Sequence, residues 1–222
     1  MKTTSIQGRG RRQSPRRAAG GTQATILAAA ANEFAASGPA GARMDAIADA
    51  AGVNKALLYY YFKSKESLYH AVIEEHFEIF NREAIALLSG PGAARTVLLR
   101  YAALHFDFIS SRLRYAGLYQ QLMMTGGKPL ERLVRKYFVP RSRALWALLD
   151  RGMKNGEFRK ADRMHTAVSI VSMIVFYFSA AQVMQLIGHA DAYSKPNLKR
   201  RKQEVLDFIR FGLFANPEAP LP

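Results

Sequence analysis

Apolar positions along this chain recur at helical spacing, and glycine- and proline-bearing breaks divide them into segments. Leu27, Ala30, Ala31 and Phe34 share one face of a helix expected over Thr22–Ser37, with Thr22 able to cap its start and Gly38-Pro39 stopping it. Met44, Ile47, Ala48 and Ala51 fall at i, i+3, i+4 and i+7, and Gly52 follows at once. Beyond Asn54, Leu58 and Phe62 lie one helical turn apart. From Lys65 the pattern stays helical to about Leu88, through Leu68, Ala71, Val72, Phe77, Ile79 and Phe80. Ser89-Gly90-Pro91-Gly92 breaks it. Further helices are expected near Ala94–Ser110, Leu113–Met124, Leu130–Lys154 (kinked at Pro140), Thr166–Gly188 and Pro196–Phe214. In the last, Leu198, Val205, Phe208, Ile209 and Leu213 are expected to face inward. No stretch alternates with period two, so the fold class expected is all-α.

The stretch Ala42–Leu68 carries the chemistry. A glycine at position 52 can take the left-handed conformation that ends a helix, and Asn54 can cap the next by accepting from a free backbone N–H. Helix, glycine corner and capped short helix make a helix-turn-helix pattern. With Leu58 and Phe62 inward, Lys55, Ala56, Tyr59 and Tyr60 are left outside. A face kept only for solubility would carry Glu and Lys. This one offers a lysine, a small residue that permits close approach, and phenol hydroxyls suited to phosphate oxygens. Tyr61 reads equally well as packing. Ser64 can cap the following helix, whose N-terminal amides, with Lys65 beside them, form a further anion site.

The run Ile26-Leu27-Ala28-Ala29-Ala30, Phe34, Gly38, Ile47-Ala48, Ala51-Gly52-Val53, Leu58-Tyr59-Tyr60-Tyr61-Phe62-Lys63-Ser64-Lys65-Glu66 and Leu68 resembles the N-terminal domain of the tetracycline-repressor (TetR) family without a gap. The resemblance implies that Tyr59, Tyr60 and Lys65 hold phosphates and that Asn54, Lys55, Ala56 and Leu57 face the bases. Two positions depart from it. Arg43 stands where a capping Ser or Thr is usual, and it can pair with a phosphate instead. Ala56 stands where a glycine is usual. The Gly156-Glu157-Phe158-Arg159 turn also resembles the family's ligand domain, more weakly.

The resemblance implies an N-terminal three-helix DNA-binding domain (22–68) and a C-terminal helical bundle for effector binding and dimerisation (69–215), followed by an irregular tail (216–222). It further implies a homodimeric repressor on a palindromic double-stranded operator; the helix after Lys65 is long enough to leave the first domain and pack on the next, which makes it the candidate lever. Tyr101, His105, Tyr115, Tyr119, Met123, Phe138, Trp146, Met173 and Phe176 are the candidate effector-pocket residues. Their mixture of aromatic, Met and polar groups suits a bulky apolar effector, although each is also an ordinary core residue.

Charge sharpens the partner and composition narrows the chemistry. The formal charge is +15, which favours polyanions. Lys2, Arg9, Arg11, Arg12, Arg16 and Arg17 contribute six of those charges within residues 1–21, a glycine-bearing stretch without an apolar face that reads as a disordered arm. Such an arm lies along phosphates or in a minor groove, or it only solubilises. There is no cysteine, which removes thiolate metal sites and nucleophiles. His70 and Glu74 stand at i and i+4 without a third ligand, and Gly126-Gly127-Lys128 lacks the rest of a phosphate loop. No paired carboxylates or nucleophile elbow occur, so neither an enzyme, a metal nor a cofactor is expected. Thr166–Gly188 has no charge and is long enough to span a bilayer, with Lys199–Lys202 following. Ser169, Ser172, Ser179, Gln182 and Gln185 argue against lipid. Burial between its own domain and a second copy is the expectation, giving a four-helix seam from about 166–188 and 196–214. No apolar signal segment opens the chain, and the expected location is cytoplasmic, on the nucleoid. The competing readings are a membrane-attached helical adaptor and a non-specific architectural DNA binder.

Overall fold

The computed structural model describes residues 15–113, 115, 117, 118, 123, 124, 126–188 and 191–220. The chain forms two compact units, Met1–Tyr69 and His70–Pro222. The described residues are helical throughout and hold no strand, only an isolated antiparallel bridge between Phe158 and Phe214.

In the first unit α1 (Pro15–Gly41) begins seven residues before the expected Thr22. Proline suits a first helical position because the N–H it lacks has no partner there anyway. Residues 15–21 are therefore helix rather than arm, and 1–14 lie outside the described residues. Gly38 breaks α1 where expected, with φ 67°. Ile26, Leu27, Ala30 and Phe34 are buried against Met44, Ile47 and Ala48 of α2 (Met44–Ala51) and Leu58 of α3 (Lys55–Tyr61). Phe34 meets the edge of Tyr69, ring centres 5.3 Å apart.

α4 (Lys65–Leu88) continues into the second unit. There α5 (Ala94–Ser110) is the central helix: Leu98, Tyr101, Ala102 and Phe106 are fully or almost fully buried. α6 (Gly127–Leu133) passes through a π-helical turn, Val134–Phe138, into α7 (Val139–Lys154). This turn is what Pro140 does to the expected single helix. Without an N–H, and with its ring against the preceding turn, proline shifts the hydrogen-bond ladder. α8 (Arg163–Ser179) and α9 (Ala181–Gly188) replace the expected continuous Thr166–Gly188 helix and are bent by 71°. α10 (Lys195–Leu213) completes the bundle, packing on α5 with Val205, Ile209 and Leu213. Phe208, expected inward, is 72% exposed. The helix expected at Leu113–Met124 lies largely outside the described residues.

The Gly-Glu-Phe-Arg turn is a structural lock. Gly156 takes φ 72°. Glu157 Oε2 accepts from the N–H of Arg95 in the first turn of α5, 3.1 Å, as an N-terminal carboxylate should. Phe158 packs on Phe214, and Arg159 N donates to Leu213 O at 2.9 Å.

Candidate nucleic-acid interface and effector cavity

The corner between α2 and α3 forms as its residues dictate. Gly52 is left-handed at φ 66°, and Val53 N reaches back to Ala48 O at 3.0 Å, closing the helix end. Asn54 Oδ1 accepts from Leu57 N at 2.7 Å, so Asn54 serves as the cap. Arg43 makes no side-chain cap on α2. Glu33 Oε1 of α1 accepts from the backbone N–H of Arg43 itself at 3.2 Å, tying the start of α2 to α1.

α3 buries Leu58 completely, which turns its other side outward. Tyr60 is 79% exposed and Tyr59 40%, while Lys55 and Ala56 are exposed and Leu57 is half-buried. Lys55 Nζ lies 2.8 Å from Asp45 Oδ1 on α2, with both side chains exposed. The hydrogen bond from Lys55 lowers the Asp45 carboxyl, and the same bond raises the Lys55 ammonium. A solvent-screened pair like this is weak and readily exchanged for a phosphate or base. Tyr61 is half-buried, edge-on to Tyr60 at 5.4 Å.

Lys65 sits differently from a free phosphate ligand. Its Nζ donates to Ala40 O at 2.7 Å and Ala42 O at 3.2 Å, tying the α1–α2 junction to the start of α4. Ser64 and Ser67 form a reciprocal cap: Ser67 N donates to Ser64 Oγ and Ser64 N to Ser67 Oγ, each 3.1 Å.

In the second unit α4, α5, α7 and α8 enclose a cavity of ≈ 80 Å³. Its walls include Phe80, Phe108, Tyr115, Val171, Val175 and Phe178, and its polar groups are His76, His105, Arg112 and Arg141, with Ser179. Arg112 lies over the Phe108 ring at 4.2 Å, and Arg141 over Phe80 and Phe138 at 5.0 Å each. Arg141 Nη1 donates to Asn81 Oδ1 at 2.7 Å, and Asn81 Nδ2 to Tyr137 O at 2.8 Å. His76 stacks on Tyr115 at 4.3 Å. Burial, helped by Arg112, pushes the His76 imidazole down to about 3. Burial, then Arg141 and His76, pushes His105 well down too. Both are neutral at physiological pH.

Of the expected pocket residues, His105 and Tyr115 line this cavity. Tyr101 is sealed in the core, its phenol raised by burial. Phe138 and Trp146 are half-buried outside the cavity lining, Phe138 under the Arg141 guanidinium and Trp146 under that of Arg163. Met173 lines a shallow groove between α8 and α10. Met123 (42%) and Phe176 (64%) are exposed, and Tyr119 lies outside the described residues. The sequence reading missed His76, Phe80, Phe108, Arg112 and Arg141. His76, Phe80 and Arg141 sit on helices recorded only for their apolar stripes, and an i, i+4 pairing of His76 with Phe80 was the available signal. Among the described residues no three His, Asp or Glu side chains cluster as a metal site, and Glu74 is taken by Arg132 and Lys136.

Two family models match: bacterial regulatory proteins of the tetR family over residues 26–72, and the tetracyclin repressor-like C-terminal domain over 95–209. The HTH-type transcriptional repressor NicS of Pseudomonas putida is 30% identical over 196 residues, covering 85% of this chain and 88% of that protein. The HTH-type transcriptional regulator RutR of Escherichia coli is 44% identical over 64 residues, 29% of this chain and only 30% of its own length. A solved transcriptional regulator from Saccharomonospora viridis in complex with choline has the same fold at TM-score 0.71 and 18% identity, over 86% of this chain and 97% of that one.

Proposed function

This chain belongs to the TetR family of bacterial regulatory proteins, and on that premise we propose that it is a ligand-responsive repressor acting as a homodimer on a palindromic operator. The family and the relatives above are transcriptional regulators, not enzymes. The observation that carries the reading is the exposed side of α3, where Lys55, Ala56, Tyr59 and Tyr60 stand out from a corner fixed by Gly52 and Asn54. Lys55 exchanges Asp45 for DNA. Tyr59, Tyr60 and Arg43 take phosphates, and Lys65 acts by holding the α1–α2 junction beneath them. A two-fold dimer reads half-sites roughly 34–36 Å apart, or a multiple of that. Its work is done in the cytoplasm, on the chromosome.

The cavity of the second unit is the effector site. An effector that turns occupancy from 1:99 to 99:1 must prefer the non-binding state by about 5.5 kcal/mol. Selection of bound duplexes from a random pool tests the reading. An inverted repeat is the expected product, and enrichment of no sequence would identify a non-specific DNA binder instead.

A further inference from the structure

We propose that Asp45 reads a base: its carboxylate takes the amino group of a cytosine while Lys55 takes the guanine of the same pair, so that each half-site carries a G·C pair read by both side chains. The proposal rests on the reading of α3 as the DNA-facing helix. It adds a second reader, on α2, and the base pair that the two select.

An acid is out of place on this face. Asp45 stands in the first turn of α2, exposed, while Met44, Ile47 and Ala48 of the same helix are buried. The bond from Lys55, and more weakly the charge of Arg43, hold its carboxyl low, so it stands ionised. A polyanion repels such a group. A carboxylate serving only the positive end of α2 would have no need of a lysine from the facing helix. Here the pair spans the corner: one head comes from α2, the other from the first residue of α3, and they meet at 2.8 Å with both side chains about half exposed. Gly52 and Asn54 fix that corner, so both heads are carried on one frame.

An ammonium only donates and an ionised carboxylate only accepts. Side by side, they complement an acceptor and a donor side by side. The major-groove edge of a G·C pair presents that couple: guanine O6 accepts and cytosine N4 donates. These two atoms are hydrogen-bonded to each other, so they stand roughly 2.9 Å apart, the spacing of the ion pair. Guanine N7 gives the ammonium a second acceptor. An A·T pair also sets an acceptor beside an amino group, but the thymine methyl crowds that acceptor with apolar surface. Once Lys55 turns to the guanine, Asp45 needs a new donor. Cytosine supplies it, and a pair that does not leaves a bare carboxylate among phosphates, which is a penalty against the wrong sequence.

The test is duplex selection from a random pool by the full chain, unaltered and with Asp45→Ala or Asp45→Glu. The unaltered chain is expected to enrich an inverted repeat with a G·C pair at one fixed position of each half-site. Asp45→Ala keeps the repeat and loses the preference at that position alone, by roughly tenfold. Its affinity for random duplex rises, because a repelling charge is gone. Asp45→Glu restores part of the preference. Base preference is a ratio, so a lower melting point in Asp45→Ala, which scales all duplexes alike, does not blur the comparison. A repeat unchanged by Asp45→Ala, or an Asp45-dependent position occupied by A·T, overturns the proposal and leaves the operator reading standing. An unaltered chain that enriches no repeat overturns the operator reading itself, and the second reader with it.

Discussion

Gly152 has no room for a side chain. A Cβ built there would stand 2.2 Å from two ring carbons of Phe158. Phe158 is held by its tilted contact with Phe214 and by the bond from Arg159 N to Leu213 O, which leaves it little room to retreat. Gly152→Ala is expected to lower stability by about 1–3 kcal/mol, the usual cost of overpacking. Urea titration reads this directly, and an unchanged midpoint would mean the ring moves freely. His76 gives a second expectation. Its imidazole titrates near 3 in the folded protein because burial and then Arg112 oppose its charge, and near 6.5 when unfolded. The neutral form's contribution is complete above pH 6.5 and is lost progressively as pH falls towards 3, because only the unfolded chain then takes the proton. At pH 5 the loss from this one group is about 2 kcal/mol. His105 acts in the same direction. His76→Phe keeps the stack on Tyr115 and should lose less stability than the unaltered chain between pH 7.5 and 5. Equal losses would assign the acid sensitivity elsewhere.

Elements differ in how much of them the chain announces. α3 was fully announced. Gly52, Asn54 and Leu58 each act locally, and each has one physically sensible role at its position. Asn54→Ala removes the bond to Leu57 N and is expected to cost about 1 kcal/mol. It should also weaken DNA binding, because the first turn of α3 presents Lys55. Melting and gel shift should therefore fall together, and loss of stability with unchanged DNA affinity would separate the cap from the reading face. The α8–α9 bend was not announced. Ser179-Ala180-Ala181 has no glycine or proline, and a periodicity argument sees only apolar continuity. The break is held from afar: Tyr193 donates its hydroxyl to Phe178 O at 2.8 Å, and Tyr177 donates to Ala192 O at 2.6 Å. The bond to Phe178 O satisfies a carbonyl that a continuous helix would have used, and the bond from Tyr177 ties α8 to Ala192 beyond the bend. The cavity was half-legible for the same reason. His105 and Tyr115 stood out as polar aromatics on apolar faces. Nothing in the sequence around Arg112 and Arg141 shows that Phe108, Phe80 and Phe138 lie beneath them. Lys65 shows the same limit, since nothing local shows that two backbone carbonyls lie within its reach.

For the molecule as a whole, the question is what covers the outer side of α8 and α10. Met164, Val168 and Phe176 form one stripe along α8, at spacings of four and eight, while Ile170, Ile174 and Phe178 face the core. On α10, Phe208 and Phe211 are 72% and 58% exposed, one turn apart, while Val205, Ile209 and Leu213 are buried. Helices with two apolar sides need two partners. Lipid is a poor second partner. No single described helix is long and apolar enough to cross a bilayer, and the α8–α9 pair reaches that length only with a 71° bend. In the dimer proposed above, a second copy of the chain would supply the same stripe in return, which is what a two-fold contact requires. Each phenyl ring so buried contributes about 1.5–3 kcal/mol, counted twice by symmetry. Phe176→Glu with Phe208→Glu puts like charges in contact across the axis and should convert a dimer to a monomer in sedimentation. The bundle should keep its melting cooperativity, since neither side chain is in the core. DNA affinity should fall far more than the modest change in net charge explains, because a lone reading head loses the effective concentration that its twin provides. A parent chain that sediments as a monomer at micromolar concentration, or a doubly substituted chain that still dimerises, would rule out this face as the seam.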